Sequence, residues 1–137
     1  MNHRRQRLRD DRGAILIAGL LLSLALLLVI GAAVDIGRAF IVRRELVSAA
    51  DNAALTGSQA LDLNAVHQGT LVLDPTQAQQ DALQALVLEP ASTKRATATT
   101  TTVSVQLQRT IPTLLLRLVG LRTLTVTAQA NASPRAP

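Results

Sequence analysis

A run of 21 residues without a charge, from Ala14 to Val34, constrains this chain more than any other feature. As an α-helix with a rise of about 1.5 Å per residue it is about 31 Å long, enough to cross a hydrocarbon core of about 30 Å. Leu, Ile and Val dominate the run, and Ser23 is its only residue with a hydrogen-bonding side chain. Such side chains favour insertion into lipid, so the run predicts a transmembrane helix over residues 14–34.

Two other interpretations fit parts of this pattern. A cleaved secretory signal also has a basic start and an apolar middle, and Gly31 to Ala33 imitate a cleavage site, but signal cores span only about 7 to 15 residues. A helix buried in a soluble core needs other apolar elements around it, and the rest of the chain offers few. We therefore expect an anchor that stays attached to the protein.

The charges on either side of the run predict its orientation. Five arginines precede it within residues 1–13, whereas Arg38, Arg43 and Arg44 follow it. Cytoplasmic flanks carry the larger excess of Lys and Arg, so we expect residues 1–13 to form a basic cytoplasmic tail. The C-terminal part then lies across the membrane, in the periplasm of a bacterium, and the lipid bilayer is the first predicted partner.

Residues 35–61 have no proline and a helix-favouring composition, which predicts that the anchor continues outward as an extracytoplasmic helix. Its far half is lined by small residues, which let another helix approach closely. Two interpretations stay open: this face covers the chain's own domain, or it packs against a partner helix. The predicted packing or partner interface comprises Ile36, Gly37, Phe40, Val47, Ala50, Ala54, Gly57 and Leu61.

Asp35 and Arg38 lie three residues apart where the predicted helix leaves the membrane. A charge at this level of the bilayer is usually anchored or paired. Side chains three apart on a helix are neighbours, so we expect these two to form a charge pair at the membrane exit.

Residues 62–132 predict a small α+β domain. Asp74 and Pro75 have the residue types of a helix N-cap and first turn, and the apolar spacing that follows predicts an amphipathic helix to about Leu88. Residues 62–74 are expected to be a connector, with a short extended piece at its end.

Alternating apolar residues predict two strands in this domain, at Val103–Gln108 and at Thr123–Ala130. The threonine tract at 97–102 either extends the first strand or forms a linker. A helix of two turns is expected from Pro112 to a C-terminal cap at Gly120. Two or three strands with covering helices result, and residues 133–137 are expected to be a flexible tail.

The composition offers little material for chemistry. The chain has no cysteine, two histidines and one aromatic residue, and its carboxylates are spread singly along the sequence. None of the common phosphate-binding, metalloprotease or serine-hydrolase motifs is present. We therefore expect no catalytic residue, cofactor or metal site. Most of the net positive charge lies in the N-terminal tail, and aromatic side chains for stacking on bases are missing, so we expect no nucleic acid partner.

With those residues in view, the chain resembles the TadE/TadG-like membrane proteins of the Tad (tight adherence) pilus-assembly family. An RGA triplet before the apolar run carries this resemblance, together with AVDIGRAFIVRRELVSAADNAALTGSQAL after it and the closing segment VSVQLQRTIPTLLLRLVGLRTLTVTAQANA. The specific positions are Arg12, Gly13, Asp35, Gly37, Arg38, Leu46, Ala49, Ala50, Asp51, Ala53, Ala54 and Leu55.

The resemblance implies a non-enzymatic, bitopic inner-membrane component of a Tad/Flp (type IV-like) pilus assembly and secretion system. It implies an assembly scaffold or a minor pilin with a pilin-like long helix, and other Tad/Flp components as partners. The long helix is then the expected contact in a homo- or hetero-oligomer. The alternative is a small membrane-anchored envelope domain, unrelated to pili, that binds and regulates another protein.

Two features of the family bear on processing and metal binding. Relatives that are cut by prepilin peptidase have a Gly at the cut and a Glu five residues later. Here the corresponding bond joins Gly13 and Ala14, but the later position is Ala18, so we expect an uncleaved anchor. Larger TadG-like members add a domain with a DxSxS metal site, and this chain contains no such string.

Overall fold

A computed structural model of the protein describes the backbone of residues 3–134 and the side chains of residues 13–134. The side chains of the predicted basic tail and the last three residues of the predicted C-terminal tail lie outside the described residues. The described chain is divided into two compact units. One comprises the N-terminal helix as far as Gly37 together with residues 113–122, and the other begins at Arg38 and contains the sheet.

The first element, α1, is one unbroken helix, His3–Gly57, which contains both the predicted anchor and its predicted continuation. Within the described part of the chain it is the one helix long and apolar enough to cross a membrane. Its large apolar side chains from Ile15 to Ile30 are exposed, apart from the partly buried Leu28, as a lipid-facing helix requires. The helix ends at Gly57 rather than at Leu61, because Leu61 leaves it to form an antiparallel bridge with Leu73.

The second unit consists of the end of α1, two short helices and a three-stranded antiparallel sheet in the order β1-β2-β3. The elements after α1 are α2 (Leu63–His67), α3 (Pro75–Ala85), β1 (Thr93–Ala98), β2 (Val103–Pro112) and β3 (Thr123–Ala132). The predicted α+β class, with a long N-terminal helix and a small sheet, is therefore confirmed.

Local sequence explains both ends of α3. The Asp74 side chain accepts the N–H groups of Thr76 and Gln77, at 2.9 and 3.2 Å, so it caps the first turn as predicted. The helix ends at Ala85 instead of Leu88, and the ammonium of Lys94 donates to the freed carbonyl of Leu86 at 2.6 Å. A cation at this end of a helix also suits the helix dipole.

The sheet follows the alternation in the sequence. Val103, Val105 and Leu107 of β2 are buried on one face, and Val105 lies opposite Ala96 of β1 and Ala130 of β3. The threonine tract does not form one continuous strand. Residues up to Ala98 belong to β1, and Thr99 begins a turn in which its N–H donates to the Thr102 carbonyl at 2.8 Å.

The predicted two-turn helix after Ile111 is wrong in its start and its length. Pro112 is the last residue of β2, paired in register with Thr123, and between β2 and β3 the chain forms just the 3₁₀ segment Leu116–Val119. The predicted cap at Gly120 is correct: its φ of +94° is left-handed, which a residue without a Cβ adopts at little cost.

Small residues allow α1 to approach the rest of its domain closely. A Cβ atom on Gly57 would lie 2.6 Å from the Ala78 carbonyl oxygen, 3.1 Å from the Ala82 Cβ and 3.1 Å from a Val103 methyl group. Helices α1 and α3 therefore meet β2 at this glycine. The fully buried Leu46, Ala50 and Ala54 of α1 line the same core.

Candidate functional site

The carboxylate of Asp35 accepts three hydrogen bonds from backbone N–H groups of one distant segment. Its Oδ1 accepts the backbone N–H of Leu114 at 2.8 Å, and its Oδ2 accepts those of Leu115 and Leu116 at 2.9 and 2.8 Å. Asp35 is only 1% exposed. Three N–H dipoles directed at a buried carboxylate replace the water it has lost and stabilise its charged form.

These three amides belong to the segment between β2 and β3, Thr113–Arg122, which we call the β2–β3 loop. It starts directly after Pro112, the last residue of β2, and closes on itself, because the Thr113 N–H donates to the Arg122 carbonyl at 3.0 Å. The buried Thr113 hydroxyl donates to the Leu121 carbonyl. A further bond, 3.1 Å long, joins the Leu121 N–H to the carbonyl of Leu116.

The same loop also packs on Gly31, one helical turn before Asp35. A Cβ atom on Gly31 would lie 2.6 Å from the Cβ of Leu115 and 2.8 Å from its Cδ1. Real Cβ atoms do not approach this closely, so the glycine is required for the contact. Gly31 and Asp35 lie on the same face of α1, because residues four apart on a helix are neighbours. Together they form the seat of the β2–β3 loop.

The sequence predicted that Asp35 is anchored at the membrane exit but assigned its partner to Arg38. The guanidinium of Arg38 donates from Nη1 to the Pro112 carbonyl at 3.3 Å, at the end of β2. The charge pair of Asp35 with Arg38 stays a prediction. The amides of Leu114–Leu116 were not anticipated, because they are about 80 residues away in the sequence.

The eight residues of the predicted packing or partner interface fall into two groups. Ala50, Ala54 and Gly57 are buried in the core of their own domain. The other five are wholly or partly accessible: Ile36, Gly37, Phe40, Val47 and Leu61. Phe40 is 65% exposed, which makes it the most exposed large side chain among them.

Two polar features of the sheet domain lie outside this seat. Arg109 of β2 donates to Glu45 of α1 at 3.4 Å, and since Glu45 is mostly exposed the pair adds only about 0 to 1 kcal/mol to stability. An open groove of about 600 Å³ has Arg43 of α1 and Arg95 of β1 among its lining residues. The bond between Gly13 and Ala14, which corresponds to the cleavage site of processed relatives but is expected to stay intact here, lies inside α1.

No cluster of three or more His, Asp or Glu side chains that could hold a metal ion occurs within the described residues. Four of the described carboxylates bind protein groups. Asp62 and Asp74 cap helices, Glu45 pairs with Arg109, and Asp35 binds backbone amides. The best-defined arrangement in this chain therefore holds a loop against a helix.

Over the residues that the structure describes, one helix is able to cross a membrane and a small antiparallel sheet follows it, which indicates a single-pass membrane anchor. Residues 13–60 match the model of the Tad family, described as "Putative Flp pilus-assembly TadE/G-like". The match covers the apolar run and the continuation of α1 to Gly57, including Asp35, and it confirms the resemblance seen in the sequence. No curated protein and no solved structure matches the chain.

Proposed function

We propose that this protein is a non-enzymatic, membrane-anchored component of a Tad/Flp pilus assembly and secretion system. It resides in the bacterial inner membrane with its N-terminus in the cytoplasm and its sheet domain in the periplasm. The single observation that carries this proposal is the match of residues 13–60 to the TadE/G-like family, which falls on α1, the one helix of the described residues that is able to span a membrane.

Within that role, we propose an assembly scaffold that stays in the membrane. A pilin subunit packs its long helix among neighbouring subunits, which requires accessible helix faces. In this chain the Gly31 and Asp35 face of α1 is covered by the β2–β3 loop, and the Ala50, Ala54 and Gly57 face is covered by the sheet domain. Two faces of α1 that small residues would make available to a neighbouring helix are therefore already covered by other parts of the same chain.

A minor pilin is the second candidate function. The observation that favours it is the exposure of the large apolar side chains between Ile15 and Ile30, which suits a helix bundle as well as lipid. A full-length chain is expected for the scaffold. A minor pilin processed by prepilin peptidase would begin at Ala14.

The deciding experiment is the intact mass of the protein from inner membranes and from sheared surface filaments of the same cells. A full-length mass found only in inner membrane supports the scaffold. A chain that starts at Ala14 and is found in filaments supports the minor pilin and overturns the scaffold. A chain that starts near Val34 and is free in solution overturns the anchor itself.

A deletion strain separates both roles from the alternative outside pilus assembly. Loss of the gene should abolish or reduce surface pili, and the full-length chain supplied on a plasmid should restore them. Normal piliation in the deletion strain would contradict the proposed function. It would leave a small envelope domain that binds and regulates another protein.

A further inference from the structure

We propose that the β2–β3 loop inserts into the lipid at the level where α1 leaves the bilayer, so that the chain contacts the membrane through a second, non-spanning segment. This inference rests on α1 being a membrane anchor, but not on a role in pili. The occupant of the loop's exposed apolar surface is the lipid bilayer itself.

The position of the loop is fixed by its contact with α1. Leu115 lies against Gly31, which is three residues inside the predicted end of the membrane span at Val34. At about 1.5 Å per residue, this places the contact about 4.5 Å on the lipid side of that end. The amides bound to Asp35 lie one helical turn further along. The loop therefore continues the surface of the anchor at the depth of the bilayer interface.

The exposed side chains of the loop are suited to lipid. The four most exposed apolar ones are Leu114 (48%), Leu118 (67%), Val119 (56%) and Leu121 (55%). They occur within eight consecutive residues beside the apolar helix to which the loop is bound. A cluster of large apolar side chains that are each about half exposed or more marks a contact surface, whereas single exposed leucines are common.

Most backbone N–H groups of the loop donate to acceptors within the protein and therefore do not depend on water. In lipid, each N–H group needs a partner within the protein. The amides of Leu114, Leu115 and Leu116 donate to Asp35, and those of Thr113, Leu118, Gly120 and Leu121 donate to carbonyls of the loop itself. Asp35 therefore satisfies donors that an irregular segment would otherwise leave unpaired at the membrane surface.

The charges of the loop agree with a lipid partner. Arg117 and Arg122 are exposed and the loop contains no acidic residue. Arginine side chains that border an apolar surface can extend to lipid phosphates while their neighbours enter the acyl region. A loop with buried amides, exposed leucines and basic residues at its border has the properties of an interfacial membrane anchor.

The test uses nitroxide labels on single cysteines in the full-length chain, which has no cysteine of its own. Leu118→Cys reports on the loop, Ser23→Cys on the anchor, and Gln59→Cys, an exposed position just beyond the end of α1, on the aqueous domain. Each labelled chain is reconstituted alone into phosphatidylcholine vesicles with one quarter phosphatidylglycerol. The accessibility of each label to oxygen and to a water-soluble nickel chelate is then measured.

We expect the ratio of oxygen to nickel accessibility at position 118 to exceed the ratio at position 59 several-fold and to approach the ratio at position 23. A position 118 as accessible to the nickel chelate as position 59, with position 23 still in lipid, would overturn the inserted loop and leave the anchor intact. Position 23 accessible to the chelate would overturn both the anchor and the inserted loop. As a control for folding, each of the three labelled chains must have the same far-ultraviolet circular dichroism spectrum as the wild type.

Discussion

Leu115 lies so close to Gly31 that any side chain at position 31 would collide with it. The Cβ of Leu115 would be 2.6 Å from a Cβ on Gly31. Rotation about the side-chain bonds of Leu115 cannot relieve this contact, because the position of a Cβ atom is fixed by the backbone. Either the loop or the helix must move when residue 31 acquires a side chain. The glycine within the apolar run thus determines where the β2–β3 loop is held.

Gly31→Ala is therefore expected to weaken the binding of the loop to α1. Overpacking of this kind costs about 1 to 3 kcal/mol. The population with a detached loop should rise roughly tenfold for each 1.4 kcal/mol. Trypsin cleaves after Arg117 and Arg122, so the rate at which these two bonds are cut in vesicles, followed by the masses of the fragments, measures this population.

Gly19→Ala is the matched control for that experiment. Gly19 lies in the same apolar run, and a Cβ atom there meets nothing within 4 Å. We expect its cleavage rate to equal that of the wild type. Equal rates for Gly31→Ala and the wild type would contradict the close packing of Leu115 on the helix.

Asp35→Asn should loosen the same loop by a different mechanism. The two oxygens of Asp35 accept three N–H groups, and an asparagine presents an NH₂ group, a donor, in place of one of them. At least one buried amide then loses its acceptor, which costs about 1 to 3 kcal/mol. Hydrogen exchange in peptides that cover residues 113–122 should accelerate accordingly.

Asp51→Asn provides the comparison, since Asp51 is exposed on the same helix. Its exchange rates in residues 113–122 should equal those of the wild type. Unchanged exchange in Asp35→Asn as well would show that the three amides do not depend on the carboxylate.

The parts of this fold that follow from local sequence were predictable. A long uncharged run predicts a membrane helix, Asp74 followed by Pro75 predicts a helix start, and alternation at Val103 predicts a strand, because each signal lies within a few neighbouring residues. The helix of two turns after Ile111 was predicted wrongly for the same reason. Its proline and leucines have a helical pattern, but register pairing with Thr123 extends β2 through Pro112.

The loop seat depends on residues that local patterns do not connect. Asp35 and the amides that donate to it are separated by about 80 residues. Every residue except proline has a backbone N–H, so residue types do not show which amides bind the carboxylate. Gly31 reads as one of several small residues in an apolar run. One usable signal was present: an acidic residue directly after a membrane span needs a partner, and leucine-rich Leu114–Leu121 has no obvious place in a small soluble domain.

Gly57→Ala should destabilise the sheet domain. A Cβ atom there would lie 2.6 Å from the backbone oxygen of Ala78, so α1 and α3 would have to separate. A loss of about 1 to 3 kcal/mol is expected in chemical unfolding followed by circular dichroism in detergent micelles. Gly37→Ala, where a Cβ meets nothing within 4 Å, should be neutral or stabilising by up to about 1 kcal/mol. Equal stabilities would contradict the close contact at Gly57.

The accessible part of the predicted helix interface leads to a functional prediction centred on Phe40. If a partner helix packs on this face, Phe40→Ala removes an exposed aromatic anchor, and such residues commonly contribute about 2 kcal/mol to an interface. The affinity for the partner should then fall roughly thirtyfold, and surface pili should decrease while the amount of protein in the membrane stays constant.

Ile41→Ala is the control for Phe40→Ala, because the two neighbouring side chains are almost equally exposed, at 62% and 65%. Successive residues on a helix point about 100° apart, so Ile41 lies off the predicted face. Pili sheared from a deletion strain that expresses each variant can be quantified by immunoblotting. A decrease for Phe40→Ala alone supports a partner on this face. Equal decreases would instead indicate a general requirement for apolar side chains on this part of α1, and wild-type amounts for both would exclude Phe40 from any contact needed for assembly.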